Sequence, residues 1–218
     1  MSYSEFTLSL LKSQFKLTIV EQVELFPSPK EITPSQLLQD TLAENIPLAL
    51  GIDTEKARSE MIIAPVLIEL RKLFDRNISL FSGIDFTIDK EPGLNGICDF
   101  ILSKSPEQLD LTAPVVIIVE AKNDNIKSGI PQCIAEMLAA QIFNERAQNN
   151  IPSIYGIVTT GSLWKFMKLT QQTVTIELKE RFIENLELLL GILSYIIDPT
   201  LTRSIGFDET AETQRTQR

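Results

Sequence analysis

Histidine is absent from the 218-residue chain, and this removes Ser-His-Asp and Cys-His catalysis, His-based zinc sites and hydrolysis with imidazole as general base. Cysteine is nearly as scarce. Cys98 and Cys133 are too few for a disulfide framework and have no cluster of zinc ligands around them, so both are expected as small core residues. Positive charge is also short: 20 basic against 29 acidic residues leave a balance of −9. The chain as a whole therefore does not attract nucleic acid or an anionic membrane, and any polyanion contact must be local. The apolar runs Val115 to Val119 and Leu186 to Ile197 fall short of a bilayer span, and the N-terminus has no basic segment followed by a long apolar one. The expectation is one large domain with appendages, soluble, not secreted and cytoplasmic. Neither an internal repeat nor a Gly-rich phosphate loop occurs. What remains for chemistry is carboxylate, lysine and oxygen-bound metal, and hard-oxygen sites select magnesium, manganese or calcium.

The most informative run is Val115-Val116-Ile117-Ile118-Val119-Glu120-Ala121-Lys122. Five consecutive β-branched apolar residues after Pro114 predict an interior strand covered on both faces, since a half-solvated strand would alternate. Glu120 and Lys122, two positions apart, share one face of it. Isolated ions are costly to bury, so the two must neutralise one another or serve a metal or substrate.

Around this strand, residues 1 to 53 read as an N-terminal arm and helix. Thr7 to Leu25 fits helix or strand, and Ser35 can cap a helix over Gln36 to Asn45. A longer helix spans Thr54 to Asp75, bent at Pro65. Its stripe of Glu60, Ile63, Leu67, Leu70 and Phe74 carries one carboxylate, which either faces inward or complements the helix dipole and pairs with Lys56. Ile78 to Asp89 and Ile97 to Leu102, joined through Pro92-Gly93-Leu94-Asn95-Gly96, predict a hairpin, with Asp99 inside an apolar hexamer. Pro131 opens a helix to about Ala147 on which Gln132 and Glu136 share a face. Ile154 to Val158, Leu163 to Leu169 and Val174 to Leu178 read as short strands, the last two an added strand pair. Ile183 to Ile197 is a helix apolar enough to be a core cover or a homodimer surface. Residues 201 to 218 read as a flexible tail. The fold class is α/β, a central mixed sheet flanked by helices.

The order is a helix with Glu60, a strand, a strand with Asp99, a strand with Glu120-Ala121-Lys122, a helix with Gln132 and another strand. Over residues 54 to 169 this resembles the PD-(D/E)XK nuclease superfamily, with its restriction-endonuclease-like αβββαβ core. Cys98 stands where the motif has proline. The resemblance implies a magnesium- or manganese-dependent phosphodiester hydrolase acting on DNA. In it Asp99, Glu120 and Lys122 are catalytic, Asp99, Glu120, the Ala121 carbonyl and Glu60 hold metal, and Gln132 lies on the substrate side.

Phosphodiester hydrolysis needs an activated water and neutralisation of phosphoryl charge, and two carboxylates plus a carbonyl suffice to hold magnesium. Lys122 would position or deprotonate the water. Lys104, Lys127, Lys165 and Lys168 are candidate phosphate contacts. Three other readings stand beside this one: a plain Glu120–Lys122 salt bridge with Asp99 satisfied separately, a catalytically silent nuclease-fold protein serving as a binding or dimerisation module through the 186–197 helix, and a hydrolase of non-nucleic phosphate esters.

Overall fold

The computed structural model describes residues 1–22, 24–149 and 151–200. The tail expected at 201–218 lies outside them. The chain folds as α/β, with one mixed eight-stranded sheet between helices. Its strands are β1 (Thr18–Gln22), β2 (Ser79–Asp85), β3 (Ile97–Ser103), β4 (Val115–Ala121), β5 (Ile154–Thr159), β6 (Leu163–Thr170), β7 (Thr173–Glu177) and β8 (Arg181–Phe182). The order is β1-β7-β6-β5-β4-β3-β2, with β8 added on β6. The helices are α1 (Leu8–Phe15), α2 (Gln36–Ile52), α3 (Glu55–Arg58), α4 (Ala64–Leu73), α5 (Ile126–Arg146) and α6 (Leu186–Ile197).

β4 is an interior strand, and all seven of its residues are buried. It runs antiparallel to β3 and parallel to β5, with α5 as the crossover between the parallel pair. α5 lies on one face, where Gly156 of β5 admits it: a Cβ there would stand 2.3 Å from Met137 Sδ. Asn144, buried near the end of α5, ties the helix to the first residue of β4 by accepting from Val115 N (2.8 Å) and donating to Val115 O (2.7 Å). α5 begins one turn before Pro131, because the Asn125 side chain caps it by accepting from Ser128 N.

α4 and α6 cover the other face. α6 is a core cover: Leu189, Leu190, Ile192, Leu193, Ile196 and Ile197 are buried within the chain. The backbone of the N-terminal arm crosses it so closely that a Cβ on Gly191 would meet Lys30 O at 1.8 Å. The apolar residues that suggested a dimer surface are thus used internally.

The arm contains both a helix and a strand. β1 extends the sheet alongside β7, and Tyr3, Phe6, Leu11 and Leu17 are buried in the same core as α5. The arm thus supplies core, although its helix and strand are each too short to show a period in sequence. α2 runs through Pro47 to Ile52, beyond the expected stop at Asn45, and ends where Asp53 adopts a left-handed conformation and its N–H bonds Ala49 O.

Candidate active site

In β3–β4, Phe100 lies opposite Val119 and Ile101 opposite Ile118. One more step of that register brings Asp99 opposite Glu120, on neighbouring strands whose facing Cβ atoms stand about 5 Å apart. The Asp99 and Glu120 carboxyls are close enough for each to shift the other's titration, and Asp99 Oδ2 accepts from Ala121 N at 2.7 Å. Glu120 Oε1 accepts from Lys122 Nζ. Its Oε2 is buried and has no hydrogen-bond partner.

Lys122 is fixed from several sides. Its N–H donates to Thr159 O (2.8 Å). Its stem lies against Gly129 of α5, where a Cβ would come within 3.1 Å of Lys122 Cγ and Cε and 2.7 Å of Val158 Cγ1. Its amine stands 3.9 Å from Glu55 Oε2.

Burial, reinforced by the Asp99 charge, raises the Glu120 carboxyl to about 8 despite Lys122. Burial also raises Asp99, against the pull of the Ala121 N–H, Lys122 and Glu120. For Lys122, burial works to lower the amine, but Glu120, Glu55 and Asp99 together outweigh it and the net shift is upward.

The structure brings Asp99, Glu120, the Ala121 backbone and Lys122 together. It does not bring Glu60 to them. Glu60 is exposed and pairs with Lys56 at 2.7 Å. The cause is a π turn, Ser59–Ile63, between α3 and α4, in which Ala64 N–H bonds Ser59 O five residues back. The extra residue rotates everything N-terminal to it, so the inward positions run Ala57, Ile62, Val66 and Leu70, and Glu55 faces the site in place of Glu60. Gln132 is close by but turned to a buried neighbour, donating Nε2 to Glu136 Oε1 (3.1 Å). Burial first, then the Glu120 and Asp99 charges, hold the Glu136 carboxyl well above its usual range. Sequence reasoning left Glu55, Glu136 and Gly129 out of the site. Glu136 had a signal, a carboxylate four residues from Gln132 on one face.

The lysines divide. Lys127 sits exposed on the first turn of α5, beside the loop that leaves Lys122. Lys165 lies opposite Val158, which lies opposite Glu120, so it is on the same sheet face two strands away, its amine donating to Leu178 O (2.9 Å). Lys168 faces the other side, over the Tyr155 ring at 5.8 Å. Lys104 follows the far end of β3, about 16 Å along the strand from Asp99 at 3.3 Å per residue, and does not belong to this cluster. Close in sequence, the two are set apart by the extended strand between them.

Among the described residues, no group of three or more His, Cys, Asp and Glu side chains is arranged to hold an ion, so a resident cation would rest on two carboxylates, a carbonyl and water. The donor set fits that demand: hard oxygens, one of them orphaned and buried. Compared with known proteins, the chain matches no family model and no curated protein.

Proposed function

We propose that the protein is a magnesium- or manganese-dependent phosphodiester hydrolase of the PD-(D/E)XK type acting on DNA. The observation that carries this reading is the meeting of Asp99 and Glu120 across β3–β4, with a buried, partnerless Glu120 oxygen and Lys122 on the same face. A plain salt bridge accounts for one Glu120 oxygen and leaves the other buried without a partner, a cost of about 1–3 kcal/mol.

Asp99, Glu120 and the Ala121 carbonyl would hold the ion, which when bound supplies water activation and neutralises phosphoryl charge. Lys122, anchored by Thr159 and shaped by Gly129, presents its amine to the attacking water and to charge developing on the phosphate. Glu55, at the outer side of that amine, keeps it cationic and oriented. Lys127 and the N-terminal turn of α5 offer a local positive field in an acidic chain, as a polyanion substrate requires. Two free buried cysteines suit a reducing cytoplasm. No helix among the described residues is long and apolar enough to cross a membrane.

The test is calorimetric titration of magnesium into wild type and Glu120→Ala, followed by incubation with plasmid, single-stranded and branched DNA. Ion binding and cleavage by wild type alone support the reading. Absence of both across all substrates leaves a silent binding module, and turnover of small phosphodiesters without DNA cleavage makes it a hydrolase of other esters.

A further inference from the structure

We propose that Arg58 is the positioning residue that sets Lys122 against Glu55, an inference that rests on the nuclease reading of the site. The Arg58 side chain is only 13% exposed, and its guanidinium reaches three separate segments. Nε donates to Asn123 Oδ1 (3.1 Å), Nη1 to Thr160 O (3.2 Å) and Nη2 to Asp53 Oδ1 (3.0 Å). Asn123 immediately follows Lys122, and Thr160 immediately follows Thr159, whose carbonyl holds the Lys122 N–H. One guanidinium therefore touches the neighbours of both segments that meet at the lysine, the Asn123 side chain and the Thr160 carbonyl.

Arg58 belongs to α3, which also carries Glu55, three residues earlier and 3.9 Å from the lysine amine. α3 runs without a break into the π turn and α4, so the rest of the helix holds it, and Arg58 and Glu55 face the Lys122 segment from one rigid element. The guanidinium closes the ring from α3 through Asn123 to Lys122 and back through Glu55. Asp53 is largely exposed, at 64%, so its ion pair contributes little. The function lies in the two neutral acceptors, whose directions a planar fork matches and an ammonium does not.

The experiment compares Arg58→Lys, Asn123→Ala and the double variant in the full chain. Each single change lowers kcat on cleaved DNA about 10- to 100-fold through misplacement of the lysine, while KM stays within about threefold and the magnesium heat is unchanged. The double variant is no slower than the worse single, since both cut one linkage. If Arg58→Lys unfolds, Asn123→Ala alone carries the test, as it leaves the arginine and its other partners in place. Wild-type kcat in Arg58→Lys, or effects that multiply in the double variant, overturn the proposal. Should the wild type cleave no DNA, the nuclease reading fails separately, and a crystal structure of Arg58→Lys decides this one. A Lys122 amine displaced from Glu55 supports it, and an unmoved amine overturns it.

Discussion

Removing the charge of Glu120 should stabilise the ion-free protein at alkaline pH while abolishing ion binding. Burial and the Asp99 charge lift the carboxyl from its ordinary value of 4.5 to about 8. A carboxyl raised on folding binds its proton more tightly in the folded state, so its contribution to stability is full below about pH 4.5 and is lost as pH rises through about 8. At about 1.4 kcal/mol per unit the ceiling is about 5 kcal/mol, and sharing with Asp99 and Glu136 makes a few kcal/mol the working figure. For a chain of this size that is a fall in Tm on the order of 5–15 °C. Thermal melts in chelator from pH 5 to pH 9 should show that fall in wild type and a much flatter profile in Glu120→Gln, which melts higher than wild type at pH 9. Magnesium should flatten the wild-type profile alone, because the ion replaces the proton. A Glu120→Gln variant that melts lower than wild type at pH 9, or an equally steep profile in both, refutes the burial argument and with it the cost assigned to the free oxygen.

Three further outcomes follow from the same geometry. Gly129→Ala places a methyl 2.7 Å from Val158 Cγ1 and against the Lys122 stem; it should cost about 1–3 kcal/mol in urea unfolding and lower cleavage by displacing the amine. Asn144→Ala leaves the Val115 N–H and carbonyl unpaired in the core, a loss of about 2–4 kcal/mol measured by the same unfolding, with ion binding retained in the folded fraction. Glu55→Gln should weaken activity on the order of 10-fold, as loss of an outer-shell partner does, whereas Glu60→Gln should change it less than about twofold, since Glu60 pairs only with exposed Lys56; steady-state cleavage rates separate the two.

Much of the sheet was legible because burial on both faces leaves a mark in sequence. The unbroken apolar run of β4, the run Ile97 to Leu102 and the alternation of Leu163 to Leu169 each match a strand within one or two residues of its bounds, whereas the strand expected over Ile78 to Asp89 stops at Asp85. Asp99 and Glu120 were legible for the converse reason: a carboxylate inside a buried strand stands out against its neighbours. The N-terminal residues were not, because α1 and β1 span eight and five residues, and their burial comes from partners far away in sequence, such as β7 for β1.

The acidic member contributed by the helix was misread for a more instructive reason. A stripe at 3.6-residue spacing locates the inward face only while the helix keeps its winding, and Ser59–Ile63 takes one residue more per turn. From Ile63 onward the stripe is correct, with Ile63, Leu67 and Leu70 fully buried; before it, Ala57 and Ile62 mark the inward side at a spacing of five, and Glu60 is carried outward. Part of the cause is local, at the bend expected from Pro65: proline has no N–H to give the Met61 carbonyl four residues back. Asn45 of α2 donates Nδ2 to that carbonyl instead (3.0 Å), and Ile62 packs against Gly161, where a Cβ would meet it at 3.1 Å. π turns of this kind recur at functional sites, and here the consequence is concrete. The same inserted residue that spoils the periodicity turns Glu55 toward Lys122 and leaves Arg58 facing the segments that hold it, so the least predictable helical turn in the chain is the one that completes the candidate site.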